Sequence, residues 1–238
     1  NGFKGIRIST RPDAVDGEIC DILEKYRVTA VELGAQSTDD RVLAMNRRGH
    51  TREDIFRSAR LLKERGFELG LQMMTGLYGS NDEDSIGTAR DIISLSPDTA
   101  RIYPTVVIEN TELAELYRNG EYRPQTPEEA AVLCAKILPM FERAGIKVIR
   151  LGLHSGGDVE GSFVAGAYHP ALREMCEGHI YFDIINRALS GKEKGKYIIY
   201  VAPREISKAS GQRRCNIEKL RELGYECKIK ESAALSAR

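Results

Sequence analysis

The sequence predicts an α/β protein, a partial parallel barrel of strand–helix units followed by a small α+β unit. Two observations carry this. Short apolar runs at 5–9, 28–34, 67–73, 100–108 and 146–153 alternate with helical patterns, and such alternation implies right-handed crossovers and a parallel sheet. Polar side chains then gather where the runs stop, as Ser9-Thr10-Arg11-Pro12-Asp13, as Glu32 to Ser37, and as Arg47-Arg48-Gly49-His50-Thr51. Barrel enzymes keep their chemistry at the carboxyl ends of their strands.

Each element has its own signal. Ile19, Ile22, Leu23 and Tyr26 recur at the spacing of one helix face. Thr51 with Asp54 three residues on starts the next helix, and Gly66 stops it. Ile86, Ala89 and Ile93 suggest a third. Thr126-Pro127-Glu128-Glu129 combines an N-cap, a first-turn proline and a capping-box acid, before Leu133, Cys134, Ile137 and Phe141 on one side. Pro139 is expected to kink that helix. The runs themselves read as parallel strands covered on both faces. A lysine-rich linker at 191–196 then leads to a strand, a helix and a strand at 197–201, 213–223 and 225–229. The expected division is a barrel part at 1–190 and a small unit at 197–231.

The chain has 238 residues, enough for a sizeable core. Its 35 basic and 35 acidic residues cancel, which argues against a basic surface over the whole molecule and leaves room for a local patch. No apolar run reaches membrane-spanning length. The five cysteines, Cys20, Cys134, Cys176, Cys215 and Cys227, are dispersed, as expected for reduced thiols in a cytoplasmic protein. No nucleophile–base pair or metal-ligand set is evident that would support a cofactor-free lyase or hydrolase.

The ordered series STRPD, ELGAQS, NRRGHT, QMMTG and RIYPTVVI resembles the later part of a radical S-adenosylmethionine (SAM) barrel. Within that superfamily it is most similar to the catalytic subunit of Elongator and its bacterial relatives. It is more distantly similar to oxygen-independent coproporphyrinogen oxidase. The likeness runs from about residue 5 to about residue 174. Near its end, Tyr168-His169-Pro170-Ala171-Leu172-Arg173-Glu174 resembles the family's HGNLREL stretch, with Pro-Ala for Gly-Asn, after a glycine-rich segment at 152–166 expected to close the catalytic mouth.

The resemblance implies reductive cleavage of SAM by a 4Fe-4S cluster, giving a 5'-deoxyadenosyl radical that abstracts hydrogen from a substrate. It also implies an electron donor, and transfer RNA or another nucleic acid as substrate. The family's cluster ligands, CxxxCxxC, are not in this chain. The first visible strand resembles the family's third, so the expectation is a barrel lacking its first two strand–helix units, whose edge would make the chain prone to aggregate. The rival reading is a degenerate, cluster-free barrel serving as an RNA-binding module. No membrane partner is implied.

Residue by residue, Arg48 matches the arginine of the family motif and is the choice for the SAM carboxylate, which a guanidinium binds through two hydrogen bonds. Arg47 is the adjacent competitor. Gln36 matches a polar position near SAM, and Gln72 one that reaches the ribose. Ser9 stands where relatives often carry Glu. Glu32 needs a partner inside the sheet, and Arg11 is one candidate. Tyr103 suits stacking or ordinary packing, and Met73 and Met74 suit an adenine slot or the core. His50 suits orientation of its loop. Gly211-Gln212-Arg213-Arg214 faintly resembles the GxxG turn of a KH module, with Lys208, Arg213 and Arg214 near it.

Overall fold

The structure is a computed structural model that describes residues 5–153 and 161–235. The chain divides into two compact units, Asn1–Pro170 and Ala171–Arg238.

In the first unit, five strands form one parallel sheet in sequence order: β1 (Ile6–Thr10), β2 (Val28–Gln36), β3 (Glu68–Thr75), β4 (Thr99–Pro104) and β6 (Lys147–Leu151). The connecting helices are α1 (Gly17–Lys25), α2 (Asp40–Met45), α3 (Arg52–Glu64), α4 (Asp82–Ser94), α5 (Glu112–Arg118) and α6 (Pro127–Arg143). This is the expected partial parallel barrel. Side-chain oxygens start each helix: Asp16, Asp39, Thr51, Asn81, Thr111 and Thr126 all accept from a first-turn backbone N–H. The Thr51–Asp54 and Thr126–Glu129 boxes are both closed. Helix α6 runs on through Pro139 to Arg143.

The strands are not apolar on both faces. Val31, Leu33, Leu69, Leu71, Met73 and Ile102 form the outer face, fully buried with Ile55, Leu62, Ile92, Leu133, Ile137 and Phe141 of the helices. Side chains alternate along a strand, so the intervening residues, Ser9, Glu32, Gly34, Gly70, Gln72, Arg101 and Tyr103, share the inner face. Met73 therefore belongs to the core, which leaves only Met74 on the side of an adenine slot.

The expected strand at 100–108 is two strands. Thr105 interrupts it, giving both its N–H and its hydroxyl to the Thr75 carbonyl. β5 (Val106–Ile108) then pairs antiparallel with β7 (Phe163–Gly166) in a separate sheet. Residues 154–160 of the glycine-rich segment lie outside the described residues; its end is a strand rather than loop.

The second unit contains α7 (Leu172–Leu189), β8 (Gly195–Val201), α8 (Ile206–Ser210), a 3-10 turn at Gln212–Arg214, α9 (Cys215–Glu222) and β9 (Tyr225–Glu231). β8 and β9 pair in parallel, as a strand–helix–strand unit requires. The division falls after Pro170, well ahead of the expected linker at 191–196. The cause is α7: Ile185 and Leu189 share a core with Val201, Ala209, Leu220 and Tyr225. The buried Asn216 amide ties the same pieces together, donating to the carbonyls of Gly178 and Ala209.

Candidate functional site

The inner face is built around one carboxylate. Glu32 is 1 % exposed, and an ionised group so placed requires partners. It accepts from the Gln72 amide. Its other oxygen lies 3.0 Å from Arg101 Nε and 3.9 Å from an Arg7 nitrogen. The Arg101 contact is one of charge alone, without an aligned hydrogen bond. Gly70 makes room for this: a Cβ there would stand 3.0 Å from Glu32 Cγ and 3.2 Å from Thr99 Oγ1. Arg101 also donates to the Tyr103 hydroxyl at 3.2 Å.

Arg11 is not the partner of Glu32. It grips Asp13 with two hydrogen bonds of 3.0 and 2.6 Å, because the Pro12–Ala14 turn brings that carboxylate back under it. This pairing raises the Arg11 pKa and lowers that of Asp13.

At the carboxyl end of β2 the register slips between Gly34 and Gln36, and Gln36 adopts φ +64°. A bulge of this kind re-aims a side chain. The Gln36 amide folds back beside Gly34, with Nε2 2.8 Å from the place a Cβ would take. Its buried Oε1 has no hydrogen-bond partner. His50 is 4 % exposed and its Nε2 lies 3.0 Å from the Ala35 carbonyl, which pins the loop after α2 to the end of β2. His50 Nδ1 has no hydrogen-bond partner.

That loop separates the two adjacent arginines. Arg47, at φ +48°, points outward to Glu112 at 2.7 Å and its side chain is 77 % exposed. Arg48 turns inward, half-buried, with Nε lacking any hydrogen-bond partner. Burial, then the nearby Arg11 charge, lowers its pKa. Arg11 itself lies against Gly49, 2.8 Å from where a Cβ would be. The carboxyl ends of β1 and β2 thus collect two cations, an unsatisfied amide oxygen and an unsatisfied imidazole nitrogen. Such a cluster offers a cationic fork and polar acceptors to a ligand with a carboxylate and hydroxyls.

Of the candidates, Gln36, Arg48 and Arg11 gather at this end. Glu32, Gln72 and Tyr103 form the network along the inner face, and Ser9 pairs with Glu32 in register. Sequence reasoning missed Arg7, Arg101 and Arg150. Their signal was present: an arginine interrupts each of these mostly apolar runs. Among the described residues no three His, Cys, Asp or Glu side chains come together to hold a metal, and no helix is long and apolar enough to cross a membrane.

Comparisons agree with this geometry. Residues 1–92 match the radical SAM superfamily and residues 97–181 match the radical SAM C-terminal domain. The tRNA uridine(34) acetyltransferase of Methanocaldococcus jannaschii is 36% identical over 142 residues, 57% of this chain and 26% of the relative. That of Dehalococcoides mccartyi is 30% identical over 176 residues, 71% of this chain and 37% of the relative. The chain thus spans about a quarter of the length of its archaeal relatives. Among solved structures, the Elp3 of Methanocaldococcus infernus with an N-terminal deletion superposes with a TM-score of 0.65 at 28% identity, covering 78% of this chain and 42% of that one. With a parallel partial barrel, polar groups at its carboxyl ends and two adjoining family matches, this chain belongs to the radical SAM superfamily of enzymes.

Proposed function

We propose that the first unit carries the SAM-facing part of a radical SAM active site in an enzyme that modifies tRNA. One observation carries the reading: of two adjacent arginines, Arg48 is turned inward with an unpartnered Nε, while Arg47 is spent on Glu112. A half-buried guanidinium without a carboxylate is a receptor for one. Gln36, through its free Oε1, is suited to accept from a hydroxyl or amine of the same ligand. Gln72, held by Glu32, presents its remaining amide valences further along the inner face.

These residues fit SAM, which when bound supplies the sulfonium that is cleaved to begin hydrogen abstraction. They bind and orient it. The thiols do not fit a 4Fe-4S cluster: Cys20, Cys134 and Cys176 are buried, and none lies in a group of three ligands among the described residues. No electron-transfer step is assigned to this chain's own residues. The substrate is carried over from the relatives, which are tRNA uridine(34) acetyltransferases; work on tRNA agrees with a cytoplasmic site of action.

Calorimetric titration of the 238-residue chain with SAM tests the reading. Arg48→Ala is expected to weaken binding at least about tenfold, since a hydrogen bond to a charged group is worth about 1.5–3 kcal/mol, and Arg47→Ala to leave it unchanged. A chain that binds no SAM, or that binds it equally after Arg48→Ala, overturns it.

A further inference from the structure

The zero net charge conceals two opposed halves. Residues 171–238 contain 14 Lys and Arg against 9 Asp and Glu, so residues 1–170 hold the remaining 21 against 26. The second unit has an excess of five positive charges and the first an equal deficit. Charge asymmetry between halves points to a polyanion as partner of the basic one.

The excess is focused. A cavity of about 790 Å³ on the second unit is lined by Lys196, Ile198, Arg214, Ile217, Arg221 and Lys228, among others. Its one acidic lining residue, Glu226, is already opposite Lys196 at 3.8 Å. The side chains of Arg214, Arg221 and Lys228 make no ion pair or hydrogen bond among the described residues. On the first unit, by contrast, Arg7, Arg11, Arg41, Arg47, Arg52 and Arg65 are each held by a carboxylate. Arg214 also lines a second cleft of about 380 Å³ that contains Arg213.

We infer that this groove binds the phosphate backbone of RNA. Three unpaired cations line one cavity, as a groove that tracks a nucleic-acid backbone requires, and Ile198 beside them, 50 % exposed, offers apolar surface to base or ribose faces. An anionic bilayer is the other polyanion to weigh, and the test below includes it as an outcome. Neither family match extends past residue 181, so the groove lies outside the two matched family domains. The inference rests on the proposed function only for the choice of RNA; Arg48 plays no part in it.

The test is fluorescence anisotropy of labelled tRNA and of a labelled oligouridine with the 238-residue chain, over a series of salt concentrations. The wild type is expected to bind with a steep salt dependence. Arg214→Gln with Arg221→Gln is expected to weaken binding at least tenfold at low salt and to reduce the slope of log K against log salt by about 1.4, at about 0.7 per lost phosphate contact on a single strand. Lys228→Gln alone should remove half of that slope change, which guards against a misfolded double variant. Arg60→Gln, at an exposed cation of α3 that does not line the groove, should bind RNA as the wild type does, and because the assay contains no SAM, failure of RNA binding and failure of SAM binding separate. Equal affinity and slope in the groove variants, or binding to phosphatidylserine vesicles and not to RNA, overturns the inference.

Discussion

Arg101 and Arg150 stand opposite each other in the β4–β6 ladder, two like charges on the inner face of one sheet. Arg101 has Glu32 at 3.0 Å. Arg150 is half-buried and has no ion-pair partner among the described residues. Like charges directly opposite in a sheet cost about 0.2–1 kcal/mol. Arg150→Gln should therefore raise the thermal midpoint, by about 1–4 °C for a chain of this size. Sulfate or phosphate, which bridges two guanidiniums, should stabilise the wild type more than the variant. Thermal melts in sodium sulfate against sodium chloride at equal ionic strength check both points. A lower midpoint for the variant in chloride would show that Arg150 is held by something other than its ladder neighbour.

Glu32 is the counter-charge on which this face depends. Its replacement by Gln keeps the shape and leaves Arg101 beside a neutral group. Breaking a buried pair costs about 3–5 kcal/mol, and the effect here belongs at the lower end because the Arg101 side chain is 28 % exposed. Denaturant melts should show that loss for Glu32→Gln. The double variant with Arg101→Met should regain part of it, and a double variant no better than the single one would place the importance of Glu32 elsewhere, at Arg7 or Gln72.

The network was only half legible in the sequence. Glu32, Gln72 and Tyr103 could be found because each interrupts an apolar run, and alternation places Glu32, Gly34 and Gln36 on one face. The partner of Glu32 could not. Arg101 is 69 residues away in the chain, and only the order β2-β3-β4 makes it a neighbour, whereas Arg11, nearer in sequence, is captured by Asp13 two residues on. The capping boxes at Thr51 and Thr126 were readable because the signal is local. The split at Thr105 was not, because its cause is a carbonyl on another strand, Thr75. The end of the first unit was likewise hidden, since nothing in the pattern of α7 says which neighbours its apolar side meets.

Arg52 and Asp91 join the start of α3 to α4 through two hydrogen bonds of 2.8 Å. The Arg52 guanidinium holds the Asp91 carboxyl below the usual carboxylate range. A depressed carboxyl contributes its full stability above its unfolded pKa, about 3.9, and loses it as pH falls through the lower folded value. Between pH 7 and pH 5 the pair should thus contribute a constant amount. Below about pH 4 the wild type should lose stability more steeply than Asp91→Asn, which carries no such titration. Urea melts at a series of pH values measure this, and parallel curves below pH 4 would mean that the pair is not formed in solution.

The cysteines offer a last test, one that bears on the iron–sulfur chemistry of the family. Cys20, Cys134 and Cys176 are fully buried, and burial pushes the Cys134 thiol up to about 12. A thiolate is the form that reacts and that binds iron, so these three should resist a thiol reagent in the folded chain. Cys215 and Cys227 are only half-buried and should react, Cys227 more slowly because burial raises its pKa as well. All five should react once the chain is unfolded in urea. Anaerobic incubation of the 238-residue chain with ferrous iron and sulfide should leave this pattern unchanged, because dispersed thiols cannot converge on one cluster without unfolding the core around Cys134. Protection of several thiols together, with iron bound at about four per chain, would mean that the fold rearranges to build a site which its native packing does not contain.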